Sequence, residues 1–422
     1  MIVRSRLVAP LLLGIAALVL VQYGRIWVDA QPLARTSDFA GTYAASTLWR
    51  QGETGKLYSG PAEQQVLART GTPLSHLDIP FENPPAAAVV AAPLSLLDSA
   101  TAYRVWAWLQ LLLVIAAIVV AARAAPWPAR TPHWVKASVG AVALAGFGTG
   151  ALWIEGQWDG LSVLGLALAY AAWRADRRLA AGLAIGATSA IAKPHLVIGV
   201  VCFMAGRRDW RALFGFAMGA GATVVFSLAT VGTSGIAAFA SVVFSPAYSP
   251  LTQMQGASGL FGSWLGPTQL AYMLGLSASL AAAAAAAALG TAARRRSSVL
   301  EPALAGAVAL SLFASPHLLS HDLTMLAPAL VIGLAWMAGE EGRRALRWPG
   351  PGTLSAIAAW VVLSLASQRD LGNGTVGGPG RITPFALLLV ASVWGLCVAM
   401  TRSWRHGAVG RSASLSRPPA AM

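Results

Sequence analysis

Residues 102–122 read AYRVWAWLQLLLVIAAIVVAA, a run whose one formal charge is Arg104 near its start. Coiled as a helix at about 1.5 Å per residue, a run of about 20 apolar residues matches the roughly 30 Å hydrocarbon core of a bilayer. Only helices or closed barrels satisfy their backbone groups there, and this run lacks the every-second-residue alternation of a barrel strand. Similar runs lie on both sides of it, at Leu7–Val28, Ala137–Ile154, Leu161–Trp173, Ala212–Val231, Thr268–Ala292, Val299–Phe313, Leu323–Ala338, Leu354–Ala366 and Pro384–Thr401. They predict an all-α polytopic membrane protein of about 11–13 transmembrane helices.

Composition agrees, because 56% of the 422 residues are hydrophobic and 11% charged, against roughly 25% charged in a soluble domain. The net charge of +14 is gathered in knots that follow apolar runs: Arg174/Arg177/Arg178, Arg207/Arg208/Arg211, Arg294/Arg295/Arg296, Arg343/Arg344/Arg347 and Arg402/Arg405. That is the positive-inside pattern of cytoplasmic loops, and it sets nucleic acid aside as a partner. Cys202 and Cys397 sit inside apolar segments, as small buried hydrophobes do, and imply no disulfide framework. The first run follows Arg4 and Arg6 and exceeds the roughly 7–15 residues of a signal-peptide core, so it reads as a retained span.

With the N-terminus cytoplasmic, residues 29–98 form a first outer loop, which holds Asp38, Tyr43, Glu63, His76 and Glu82. Within it Pro84–Leu97 is apolar but too short to span, and is expected to lie at the interface. The stretch Leu179–Ala205 carries Lys193-Pro194 at its middle. Proline removes a backbone donor and disfavours helix in the residue before it, so this stretch reads as two half-crossings meeting at the break. Residues 232–267 form a second outer loop, and residues 405–422 a disordered cytoplasmic tail after a single membrane domain, 1–404. The octa-alanine run Ala281–Ala288 reads as a surface for close helix packing.

This topology places the unexplained polar residues on one side: Asp38, Asn83-Pro84-Pro85, Glu155/Gln157/Asp159, Lys193/His195 and His317/His321/Asp322. Ionisable groups at membrane depth are costly unless they pair or line a wet cavity, so their convergence marks a candidate site. Asp38 opens a helical-looking stretch and reads either as its cap or as a general base for an acceptor hydroxyl. Lys193 beside a helix break reads either as a phosphate ligand or as a snorkelling lysine. His195, His317, His321 and Asp322 suit phosphate or sugar contacts, or a hydrogen-bonded cluster at a helix start with Asp322 as cap. No metal is expected, because Pro316 disturbs the helical spacing that would put His317 and His321 on one face. The chain carries no phosphate-binding Gly-Lys-Ser/Thr loop and no nucleophile elbow.

Five motifs in order carry a resemblance: Asp38-x-x-x-x-Tyr43-x-Ala45 with Lys56-Leu57-Tyr58; Asn83-Pro84-Pro85-Ala86-Ala87 running to Ala92-Pro93-Leu94; Glu155-Gly156-Gln157-x-Asp159; Ala192-Lys193-Pro194-His195; and Ser315-Pro316-His317 with Asp322-Leu323. In these the sequence resembles glycosyltransferase family 87, the polyprenyl-phosphate-mannose-dependent mannosyltransferases of the GT-C superfamily. The resemblance runs from about Asp38 to Leu326. It implies a GT-C-type bundle with an interfacial helix in the first outer loop, set in the cell (inner) membrane with its active site on the non-cytoplasmic side. It implies a hexosyltransferase that moves mannose from a polyprenyl-phosphate donor to a glycolipid or glycan hydroxyl, with inversion and without a cofactor. Asp38 matches the family's catalytic aspartate, and His317 or His321 its functional histidine. Lys193, His195 and His317 are then expected on the donor phosphate. Tyr43, Asn83, Glu155, Gln157, Asp159, His321 and Asp322 are expected on sugar or acceptor. The sequence departs from the family at Thr42, Asn83 and Asp159, which touches the choice of sugar and acceptor.

Broken helices bearing charges are also how secondary carriers build sites, so a transporter or lipid-linked-sugar flippase is the competing reading. Carriers place such charges near the midplane of repeated halves; here the groups fall at outer helix ends and no halves match. A non-catalytic scaffold would leave that convergence without a reason.

Overall fold

The computed structural model describes residues 2–34, 38–70, 81–245, 251, 254–339 and 382–414. Their regular structure is entirely helical: α1 (Ile2–Ala34), α2 (Asp38–Arg50), α3 (Gly60–Arg69), α4 (Pro85–Ala91), α5 (Ser99–Ala124), α6 (His133–Leu144), α7 (Phe147–Glu155), α8 (Asp159–Arg174), α9 (Arg178–Ile191), α10 (Ile198–Gly206), α11 (Trp210–Val243), α12 (Ala257–Leu265), α13 (Gln269–Arg295), α14 (Leu300–Ala314), α15 (Leu326–Ala338) and α16 (Thr383–Ser414). Among the described residues six helices, some with a short 3₁₀ turn, are long and apolar enough to cross a bilayer singly, and the bent pair α6/α7 would add a seventh. The protein is an all-α polytopic membrane protein. The span expected at Leu354–Ala366, like His76, lies outside the described residues.

The helices divide by length. α5, α11 and α13 have 26, 34 and 27 residues. α8, α9, α14 and α15 have 16, 14, 15 and 13. At about 1.5 Å per residue α8 and α9 measure roughly 21–24 Å, less than the hydrocarbon core, whereas α14 and α15 reach 18 and 19 residues with the 3₁₀ turns that precede them. The end of α7, the start of α8, the break after α9 and the turn before α15 meet through side-chain contacts. α14 is buried along its whole length.

The half-crossings expected around Lys193 are present. α9 ends at Ile191, Pro194–Val197 makes one 3₁₀ turn, and α10 leads back towards Arg207. The break frees backbone groups that apolar surroundings cannot satisfy, and Ser311 on α14 takes them up. Its hydroxyl donates to the Leu196 carbonyl at 2.7 Å and accepts from the Gly199 amide at 2.8 Å. α9 lies against α11 through small residues on both sides: a Cβ on Gly182 would stand 1.8 Å from the Ala212 carbonyl oxygen, and one on Gly215 2.2 Å from that of Leu179. Ala282 and Ala286 of the octa-alanine run face inward on α13, which packs against α10 and α14.

Three expectations need correction. The run Ala137–Ile154 is broken at Ala145-Gly146, where α6 and α7 meet at 58°. The bend lays α7 against residues 320–325, and only glycine at 148 permits it, because a Cβ there would stand 2.2 Å from the Thr324 amide nitrogen. Tyr23 of α1 donates to the Ala145 carbonyl that the break exposes. The second outer loop is largely helical: the chain kinks at Gly232, whose φ is 72°, and α11 continues to Val243. The helix α16 runs past the expected start of the tail to Ser414. Pro84–Leu97 is α4 plus a 3₁₀ turn, twelve helical residues packed on α2 and α11.

Candidate active site

The site gathers residues from four separate stretches of chain, at 38, 155–159, 193–195 and 317–322. It begins at the end of α7, where Gly156 (φ 65°) turns the chain in the left-handed region. The carbonyls on either side of Glu155 are tied to α5: Tyr103 donates to Ile154 at 2.6 Å and the Trp106 indole to Gly156 at 2.8 Å. A Cβ on Gly156 would stand 3.0 Å from the Cβ of Phe39, so glycine here also lets α2 approach. The Trp158 indole donates to Thr42 Oγ1 at 3.1 Å. These contacts bring Asp38, the first residue of α2, to Gln157, whose side-chain amide donates to its carboxylate.

From Glu155 a chain of polar contacts runs inward. Glu155 Oε2 lies 2.6 Å from His321 Nδ1, and His321 Nε2 lies 3.5 Å from Asp322 Oδ1. Lys193 Nζ donates to Asp322 Oδ1 at 2.8 Å and to Asp159 Oδ2 at 3.3 Å. Asp322 Oδ2 accepts the Leu319 amide at 2.7 Å, so the cap reading holds for that oxygen while the other serves the lysine. Lys193, Asp159, His321 and Asp322 are buried, whereas Asp38 stays exposed and Glu155 half-buried at the mouth. His195 and His317 stand edge to face with ring centroids 5.6 Å apart, and no carboxylate contact is seen for His195 Nε2, a buried atom without a hydrogen-bond partner.

Although part of its surface is open, the Asp38 carboxyl is held above the ordinary carboxylate range, first by the protein packed around it and then by repulsion from Glu155. Lys193 and His321 pull it the other way. Glu82 is pushed up to about 8, by burial first and by Asp38 next.

Nine of the expected residues thus share one site: Asp38, Glu155, Gln157, Asp159, Lys193, His195, His317, His321 and Asp322. Tyr43 does not. Five positions along a helix turn about 140° around its axis, so Tyr43 faces away from Asp38. Its hydroxyl donates to the Leu97 carbonyl at 2.9 Å, at the end of the 3₁₀ turn that follows α4. Asn83 contributes its backbone carbonyl, which accepts from Tyr58 at 2.9 Å. Lys193, expected on a phosphate, already has two carboxylates, because the break at Pro194 points it between α8 and the 3₁₀ turn after α14. Glu82 was missed, although it adjoins the Asn83-Pro84-Pro85 motif.

One oxygen or nitrogen each from Asp38, Glu155 and His321 falls within 4.8 Å of the others, and the same holds for Asp159, His321 and Asp322. A divalent ion accepts such spacing. In the second group Lys193 is the cation in contact with both carboxylates.

The arginine knots lie at the other ends of the same helices: Arg174 closes α8, Arg178 opens α9, Arg207 follows α10 and Arg294–Arg296 follow or close α13. A model of glycosyltransferase family 87 matches residues 81–316, more than half of the chain. The chain belongs to glycosyltransferase family 87. No curated protein and no solved structure matches it. The family 87 match covers Glu155, Gln157, Asp159, Lys193 and His195, while Asp38 precedes it and His317, His321 and Asp322 follow it. As a family 87 member the protein is a multi-pass membrane glycosyltransferase, acting on a sugar donor and an acceptor in a bilayer.

Proposed function

We propose that the protein transfers a hexose, mannose by the family resemblance, from a polyprenyl-phosphate carrier to a glycolipid or glycan hydroxyl on the non-cytoplasmic face of the cell membrane. The observation that carries this reading is Asp38: one exposed carboxylate, oriented by Gln157 and set beside the Glu155–His321 pair. The arginine knots at the opposite helix ends support the outward orientation.

In the reaction the acceptor oxygen attacks C1 of the donor sugar as its proton passes to Asp38. The C1–oxygen bond to phosphate breaks, polyprenyl phosphate leaves, and the β-linked donor yields an α-glycoside. A carboxylate beside C1 also stabilises the positive charge that develops there. The carboxylate cluster repels a phosphate, so the donor phosphate belongs on the His195/His317 side, where His195 Nε2 has a hydrogen bond to offer or accept. Lys193 acts through Asp159 and Asp322, holding the inner wall. No cofactor enters this scheme, and the lipid-linked sugar is a substrate.

The test is transfer of label from radiolabelled polyprenyl-phosphate mannose to membrane glycolipid by purified protein in lipid, with Asp38→Asn alongside. Transfer by the parent and loss in the variant is the expected result. Equal transfer by both removes Asp38 as base. No transfer by the parent, with movement of lipid-linked sugar across reconstituted vesicles, installs the flippase reading instead.

A further inference from the structure

The loop after α14 carries His317 and leads into the 3₁₀ turn Ser320–Met325, which carries His321 and Asp322. Its shape is imposed by a short stretch of the second outer loop. Gln255, 1% exposed, donates its backbone amide to the Leu318 carbonyl at 2.8 Å and its side-chain amide to Ser320 Oγ at 2.7 Å. Its side-chain carbonyl accepts from Thr383 Oγ1 at 3.4 Å, at the start of α16. Beside it a Cβ on Gly256 would stand 2.8 Å from the Ser315 carbonyl oxygen, and Ser258 Oγ donates to the Pro316 carbonyl at 3.2 Å. One buried glutamine thereby joins three distant segments at the residue before His321.

We infer that Gln255 is a positioning residue of the transferase site: clamped between Ser320 and Thr383, it sets where the 315–322 loop presents His317 to the donor phosphate and His321 to Glu155. Gln255 itself touches no reacting atom. It acts through the loop, and this inference rests on the donor reading above. A buried amide that loses its partner leaves the loop free to shift, and a shift of about 1 Å at such a site costs up to about a hundredfold in rate.

The experiment compares parent, Gln255→Ala, Ser320→Ala and the double variant in lipid nanodiscs, by transfer kinetics, thermal midpoint and amide hydrogen exchange. Both single variants delete the same hydrogen bond. Each is expected to raise the donor KM about tenfold with the acceptor KM unchanged, and the double variant to do no worse than the poorer single one. Exchange is expected to rise within residues 315–322 and nowhere else in the site. A merely structural glutamine would lower the active fraction in step with the thermal midpoint and leave the donor KM alone. That outcome, multiplying losses in the double variant, or unchanged exchange at 315–322 overturns the inference. The exchange measurement stands without any assay: faster exchange beside a parent that transfers no sugar would fault the donor reading and leave the clamp intact.

Discussion

His321 and Glu155, separated by 166 positions in the chain, meet with Nδ1 2.6 Å from Oε2. The contact joins the end of α7 to the turn before α15, and Asp38 stands over it at the mouth of the site. Three groups from three parts of the sequence thereby share one small space, and each prediction below follows from what that space imposes.

Asp38→Asn preserves the partner of Gln157 while removing the base. Transfer is expected to fall by about 10²–10⁴-fold with helicity unchanged, the range ordinary for loss of a positioned base. A variant retaining more than a tenth of parental kcat/KM would contradict the assignment.

The acid limb of the pH–rate profile should belong to Asp38. A base works ionised, and the fold raises this carboxyl, so activity is lost on acidification at a higher pH than a free carboxylate would show. Replacing Glu155 by Gln removes a repulsion and is expected to move that limb to lower pH. The profile of kcat/KM reports it, and an unshifted limb in an active Glu155→Gln protein counts against the coupling.

Lys193→Met strands Asp159 and Asp322 in a buried setting. Breaking a buried pair in this way costs about 3–5 kcal/mol, so a large fall in thermal midpoint is expected. Adding Asp159→Asn and Asp322→Asn should recover most of it, since those charges then no longer need a partner. No recovery would mean that the lysine stabilises by packing rather than by charge.

Glu63 gives a stability test independent of catalysis. Its carboxyl accepts the Phe81 amide at 2.9 Å, and burial pushes it up to about 8 from an ordinary 4.5. The folded protein therefore binds this proton more tightly than the unfolded chain does. The stabilisation is complete below about pH 4.5 and is lost as pH rises through about 8. Thermal midpoints measured from pH 5 to 9 should fall for the parent and fall less for Glu63→Gln; parallel curves would refute this.

Gly156→Ala forces a side chain into the left-handed region, at about 1–2 kcal/mol, and crowds Phe39. It is expected to lower transfer more than its stability loss explains, because α2 carries Asp38. A variant with lowered thermal midpoint and parental kcat would place Asp38 independently of this turn.

Much of the architecture is legible in one dimension. Hydropathy and arginine spacing locate the apolar helices, and Lys193-Pro194 marks a break because proline has no amide to give. Gly232 ends the straight part of α11 where the apolar run ended. Length alone marks Pro84–Leu97 as too short to span. Other features leave no local trace. The bend at Ala145-Gly146 answers to residues 320–325, far along the chain: the glycines at 146, 148 and 150 permit it, but what packs against it is set by the distant segment.

The sequence by itself determined that this is a helical membrane protein, which polar residues membrane burial cannot explain, and the family to which they point. Hydrophobicity and backbone propensity are local properties, so a linear reading captures them. Only the tertiary structure decided that Lys193 answers to two aspartates, that Tyr43 turns from Asp38 to the Leu97 carbonyl, and that Gln255 holds the histidine loop. Those pairings depend on which helix faces meet and at what depth, and the packing of the whole bundle sets both.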